Sequence, residues 1–125
     1  MATWKEMARE NQSAAKRLLA AGCYRSAASR AYYALYACVT DVLRGRTSFG
    51  DREGPGHDDS PDMLYDYCTK LSENERSLFS TVIYQMYQRR ITADYRPSQT
   101  LGETQARESL IWVERIMRSF EVTYG

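Results

Sequence analysis

The chain has one histidine, three prolines and three cysteines in 125 residues. The lone histidine, His57, has no second histidine and no cysteine at ligand spacing, so no zinc site is expected. Cys23, Cys38 and Cys68 are odd in number and unpaired in spacing, which argues against a disulfide framework. Cys38 falls on an apolar helical face and reads as a small core residue. No apolar run approaches the ~18 residues of a membrane span. The opening segment, MATWKEMARENQ, is polar and lacks the apolar stretch of a signal peptide. A net charge of +1 gives no broad field to draw in nucleic acid, so any RNA or phosphate site must be local. These absences together predict a cytoplasmic protein in reducing surroundings, with no metal and no cofactor.

What is present is an ordinary globular balance, 43% hydrophobic and 26% charged, which fits one domain over residues 1–125 with a real core. The outlier is tyrosine, ten against three phenylalanines. A buried tyrosine must place its hydroxyl on a partner or in water. So many of them imply a core wet at its margins, or a partner interface.

Helical periodicity runs through most of the chain. Thr3 and Glu6 stand at capping-box spacing, where each side chain satisfies an amide of the first turn. A stripe of Trp4, Met7, Ala8, Ala14, Ala15, Leu18 and Leu19 follows, and Gly22 stands where a helix ends. Residues 24–44 form a second long helix with a core stripe of Ala27, Ala28, Ala31, Leu35, Cys38, Val39, Val42 and Leu43. Its alanines let a neighbouring helix come close. Arg25, Arg30, Tyr32, Tyr33 and Tyr36 are read as its flanks. Residues 45–59 lose all periodicity, and Gly50, Gly54, Pro55 and Gly56 mark a mobile loop that ends at His57. Ser60-Pro61-Asp62 starts a short helix: a cap, a first-turn proline and a first-turn acid.

Residues 72–97 carry the best-specified element. Ser72 and Glu75 form a second capping-box pair, and Leu78, Phe79, Val82, Ile83, Met86, Tyr87 and Ile91 make one apolar face over roughly five turns. Pro97 then disfavours helical geometry at Arg96. A last helix is expected from a Thr100–Glu103 capping box, with Ala106, Leu110, Val113, Met117, Phe120 and Tyr124 at near-heptad spacing. No strand pattern competes. The expected fold is all-α, an up-down four-helix bundle with one additional short helix.

The end of the long helix gathers Arg89, Arg90, Asp94 and Tyr95. Arg90 and Asp94 are four apart and share a face, whereas Arg89 lies about 100° round the helix. An Arg–Asp pair on a solvated helix end accounts for part of this. An acid so late in a helix works against the macrodipole, and tyrosine is a large residue to expose there. His57 is a further candidate, as a general base or a phosphate contact.

The motif Gly22-Cys23-Tyr24-Arg25-Ser26-Ala27-Ala28-Ser29-Arg30-Ala31-Tyr32-Tyr33-Ala34-Leu35-Tyr36, then His57, then Arg90-Ile91-Thr92-Ala93-Asp94-Tyr95, resembles the HEPN family over residues 4–122. It is closest to the standalone branch, small prokaryotic proteins often encoded beside a minimal nucleotidyltransferase. The resemblance implies a helical bundle, commonly a homodimer with the late-helix motifs facing across a cleft. It also implies partners: RNA, a nucleotide, or a nucleotidyltransferase antitoxin. Many members are metal-independent ribonucleases in which an Arg is followed, four to six residues on, by a His. Arg90 matches that Arg, with Arg89 as its alternate; no His follows, and Asp94 and Tyr95 stand there instead. Asp94 is a poor proton shuttle near neutral pH and would offset the charge a phosphate needs. His57 substitutes only if its loop reaches the cleft. The residues therefore support a binding module that uses Arg89, Arg90, Asp94, Tyr95 and the Tyr32/Tyr33 face. The alternative is an endoribonuclease toxin of a toxin–antitoxin system, with Arg90, Asp94 and His57 as catalytic candidates.

Overall fold

A computed structural model describes residues 1–125 as five helices without strands: α1 (Trp4–Ala20), α2 (Tyr24–Leu43), α3 (Ser60–Tyr67), α4 (Glu73–Tyr95) and α5 (Glu103–Tyr124). The all-α expectation holds. No helix is long and apolar enough to cross a membrane.

α1 starts where Thr3 Oγ1 accepts the amide of Glu6. It stops in a Schellman motif: the Cys23 amide donates to Leu18 O at 2.8 Å and the Gly22 amide to Leu19 O at 3.1 Å. Gly22 has φ +78°, a left-handed conformation that glycine adopts without a Cβ clash. Only three residues therefore link α1 to α2, and the two helices pack along most of their length.

α2 touches each of the other four helices, and twelve of its twenty residues are buried. Neighbours on nearly every side leave it no continuous polar face. That environment corrects the assignment of Tyr32 to a flank: its ring is wholly buried. Ala34, Ala37 and Thr40 join the core for the same reason. Cys38 is half-buried, against the wall of a cleft between α1, α2 and α5.

The α4 capping box forms: Ser72 Oγ accepts the Glu75 amide at 3.1 Å, and Glu75 Oε1 accepts the Ser72 amide at 3.4 Å. Phe79, Val82, Ile83 and Met86 of its apolar face are buried, while Leu78, Tyr87 and Ile91 are half-buried. α5 begins one step differently from expectation. Gly102 is its N-cap, and Gln105 Oε1 accepts the Gly102 amide at 3.0 Å. Glu103 does not close a box with Thr100, because it is the first residue of the helix; its carboxylate is bound to Arg107 and to the Tyr24 hydroxyl.

α4 and α5 touch sparingly. Two ties join them. Phe79 stacks on Phe120 with ring centroids 6.4 Å apart. Near the other end of α4, Arg89 donates to Gln105 O at 3.0 Å and Ser109 Oγ at 2.9 Å, and pairs with Glu108 at 3.1 Å.

Candidate functional site

Helical spacing on α2 places Ser29, Tyr33 and Tyr36 along one face, with Tyr32 beside them. That face meets the C-terminal half of α4. The Arg90 guanidinium donates to the Tyr33 hydroxyl at 2.6 Å. Its carbon lies 5.2 Å from the Tyr33 ring centre and 5.5 Å from that of Tyr95, so the cation is held between two aromatic faces. Asp94 Oδ2 stands 3.2 Å from Arg90 Nε and also accepts from Ser29 Oγ at 3.1 Å. The Nε–H is not aimed at that oxygen, and Nε has no hydrogen-bond partner although it is buried. The two groups form an ion pair by distance without an aligned hydrogen bond. Burial works against the Arg90 charge, but Tyr33 and Asp94 outweigh it, and the pKa of Arg90 is raised.

The loop between α2 and α3 brings His57 to the same place. Tyr36 donates its hydroxyl to Pro55 O at 2.6 Å, and Ser60 Oγ donates to His57 O at 3.1 Å, so both sides of His57 are tied down. The imidazole lies nearly parallel to the Tyr87 ring, 8° apart at 5.7 Å, and 4.5 Å from the Tyr36 ring centre. Its Nδ1 is 2.6 Å from the Tyr32 hydroxyl oxygen. Burial lowers the pKa of His57, and the nearby Arg90 cation lowers it further, against an opposing pull from Asp58. The ring is therefore neutral at physiological pH.

Of the sequence candidates, His57, Tyr33, Arg90, Asp94 and Tyr95 come together. Arg89 does not: its guanidinium is engaged with α5, about a third of a helical turn away. Residues that sequence reasoning left outside the site are Ser29, Tyr36 and Tyr87; the Tyr32/Tyr33 face was expected there, and both tyrosines are present. The hydroxyl stripe at positions 29, 33 and 36 was a signal for two of them. Arg25 supports the site from behind. It donates to the carbonyls of Thr92 (2.9 Å), Ala93 (3.4 Å), Arg96 (3.2 Å), Pro97 (3.3 Å) and Gln99, and so gathers the end of α4. No group of three or more His, Cys, Asp or Glu side chains converges to hold a metal ion.

The His57 environment has a pH consequence. A histidine whose folded pKa is depressed adds stability that is fully present above its unfolded pKa, about 6.5, and is lost as pH falls through the folded value. Carboxylates titrate lower, so this window belongs to the only histidine. The melting temperature is expected to fall between pH 7 and pH 5 in the wild type and to change much less in His57→Phe. Equal slopes for the two proteins would refute the assignment.

A small all-helical module, with an arginine, a histidine and an aspartate brought into one tyrosine-lined cluster, is the class that fold and geometry define. A family model for the HEPN domain matches residues 1–122, and the chain belongs to that family, whose helical modules are often ribonuclease-like or nucleotide-binding. No curated protein and no solved structure gives a significant match to the chain.

Proposed function

We propose that this HEPN module binds single-stranded RNA or a nucleotide through the cluster around Arg90. The observation that carries the reading is the meeting of Arg90 and His57, from separate elements, in one aromatic-lined cluster. Arg90 supplies the charge for a phosphate. The part-exposed rings of Tyr33, Tyr36, Tyr87 and Tyr95 supply stacking faces, which tolerate any base. Tyr84 and Tyr95 are exposed, 52% and 68%, and with Ile91 they follow one face of α4. That face suits a second copy, giving a homodimer with two sites side by side, or a nucleotidyltransferase partner.

Binding of a short labelled single-stranded RNA, followed by fluorescence anisotropy in EDTA, tests the reading. Arg90→Ala is expected to weaken binding at least tenfold, about 1.4 kcal/mol, with helicity unchanged. Equal affinity of wild type and variant would end this reading.

One observation favours a second reading, metal-independent RNA cleavage of the toxin type: a neutral imidazole beside a fixed guanidinium is a general base next to a phosphate ligand. Cleavage in EDTA by the wild type, lost in Arg90→Ala, would give this reading the lead. Binding without cleavage would leave the first in place.

A further inference from the structure

The two readings differ in which nitrogen of His57 carries the proton, and the surroundings of Tyr32 bear on that choice. A neutral imidazole has one N–H donor and one lone-pair acceptor. Nδ1 lies 2.6 Å from the Tyr32 hydroxyl oxygen. If Nδ1 carried the proton, it would donate to that oxygen, and the hydroxyl hydrogen would need another acceptor. The Tyr32 ring is wholly buried, and its hydroxyl makes no other hydrogen bond. Buried donors without partners are rare because they lose water and gain nothing. If Tyr32 donates to the Nδ1 lone pair instead, both groups are satisfied. The proton then sits on Nε2, which makes no hydrogen bond within the chain and belongs to a half-buried ring.

We propose that Tyr32 is a positioning residue that holds neutral His57 in its Nε2–H form, so that His57 presents a hydrogen-bond donor, beside the donors of Arg90, to a phosphate oxygen. The inference rests on the cluster being an RNA or nucleotide site. In this form the one lone pair of the imidazole is capped by Tyr32. His57 then cannot accept the proton of a 2′-hydroxyl unless the Tyr32 bond breaks first. The charged and titratable groups facing the ring fit a donor role. Tyr32, Tyr33 and Tyr36 come from α2, Tyr87 and the Arg90 cation from α4, and Asp58 is next in the chain. No carboxylate accepts a hydrogen bond from either ring nitrogen, so the ring lacks the partner of a catalytic dyad, and Asp58 acts on it only through space.

The test uses the fact that His57 is the only histidine. Long-range nitrogen–proton correlation NMR on the nitrogen-15-labelled protein reports a single imidazole, and its two nitrogen shifts identify the tautomer. At a pH above the His57 titration, the wild type is expected to show a bare Nδ1 and a protonated Nε2. Tyr32→Phe should move the Nδ1 signal to that of an uncapped lone pair and admit a share of the Nδ1–H form. It should also raise the His57 pKa, because the donation that favours the neutral ring is gone. Tyr36→Phe, which removes a hydroxyl that binds Pro55 O, should leave the tautomer as it is. A protonated Nδ1 in the wild type would overturn the proposal, as would a Tyr32→Phe spectrum identical to the wild type. If Tyr32→Phe does not fold, the wild-type tautomer decides alone. Adding a short single-stranded RNA separates this inference from the functional reading. An Nε2–H tautomer whose signals RNA leaves unmoved would end the RNA reading while the role of Tyr32 stands.

Discussion

Arg25→Ala is expected to destabilise the fold by about 2–3 kcal/mol, the scale of hydrogen bonds made by a charged donor in a half-buried place. One guanidinium gathers five carbonyls, from Thr92 to Gln99. Thr92 and Ala93 are among the last four residues of α4, whose carbonyls have no partner within the helix. The cation also sits at the negative end of the α4 dipole. Thr92 O and Arg96 O keep the amides of Arg96 and Gln99, but removing the guanidinium leaves the other carbonyls to water and frees the turn that leads to α5. Arg25→Lys keeps the charge but not the planar fork, and should recover less than half of the loss. Denaturant unfolding gives the stabilities, and hydrogen exchange of the amides in the last turn of α4 reports the local effect. An Arg25→Ala protein within about 0.5 kcal/mol of wild type, the range of ordinary surface substitutions, would show that the clamp is incidental.

Phe79→Ala should cost more, about 3–5 kcal/mol, because a buried ring is lost and a cavity remains. Phe79 is 1% exposed and stacks on Phe120, which stacks in turn on Tyr124 at 5.7 Å. Phe79 belongs to the main buried core, where close packing resists collapse around a missing ring. Leu78, next in sequence but half-buried, is the natural comparison, and its truncation should cost clearly less. Urea unfolding at constant m-value measures both. A loss below about 1 kcal/mol at Phe79 would mean that the site collapses freely.

The parts of the fold that were legible in the sequence are those governed by local rules. Ser72 and Glu75 announce the start of α4, and both hydrogen bonds of the capping box are present. Gly22 marks the end of α1 and has the positive φ that the position needs. Arg90 and Asp94 pair because residues four apart on a helix are neighbours. The Thr100–Glu103 box failed because the helix starts later than its spacing implies: Gly102 is the N-cap with Gln105 as its partner, and the Glu103 carboxylate is held by Arg107 and by Tyr24, 79 positions away.

Tyr32 shows a different limit. Periodicity finds a buried face by contrast with a wet one, and a helix enclosed by four others offers little contrast. Tyr32, Tyr33 and Tyr36 therefore looked alike although only the first is fully buried. His57 lies in a segment without periodicity, so only tertiary structure brings it to the α2–α4 seam. Arg25 was invisible as a clamp because its acceptors are all backbone carbonyls, which every residue possesses. Arg89 and Arg90 were separable by their 100° offset, but which of them met the tyrosines depended on where α5 packs.

The three-residue link between α1 and α2 bears on the order in which the chain folds. Closing so short a connection costs little entropy, and the long α1–α2 seam then forms between segments near in sequence. The Tyr33–Arg90 and Arg25–Gln99 bonds join residues 57 and 74 positions apart and must wait for the intervening chain. A helical hairpin of α1 and α2 is thus the natural folding nucleus. Substitutions in that seam would slow folding, whereas those in the Arg90 cluster would chiefly hasten unfolding. On this account the Arg90 cluster is the last part to assemble and the first to open, while the hairpin beneath it stays intact.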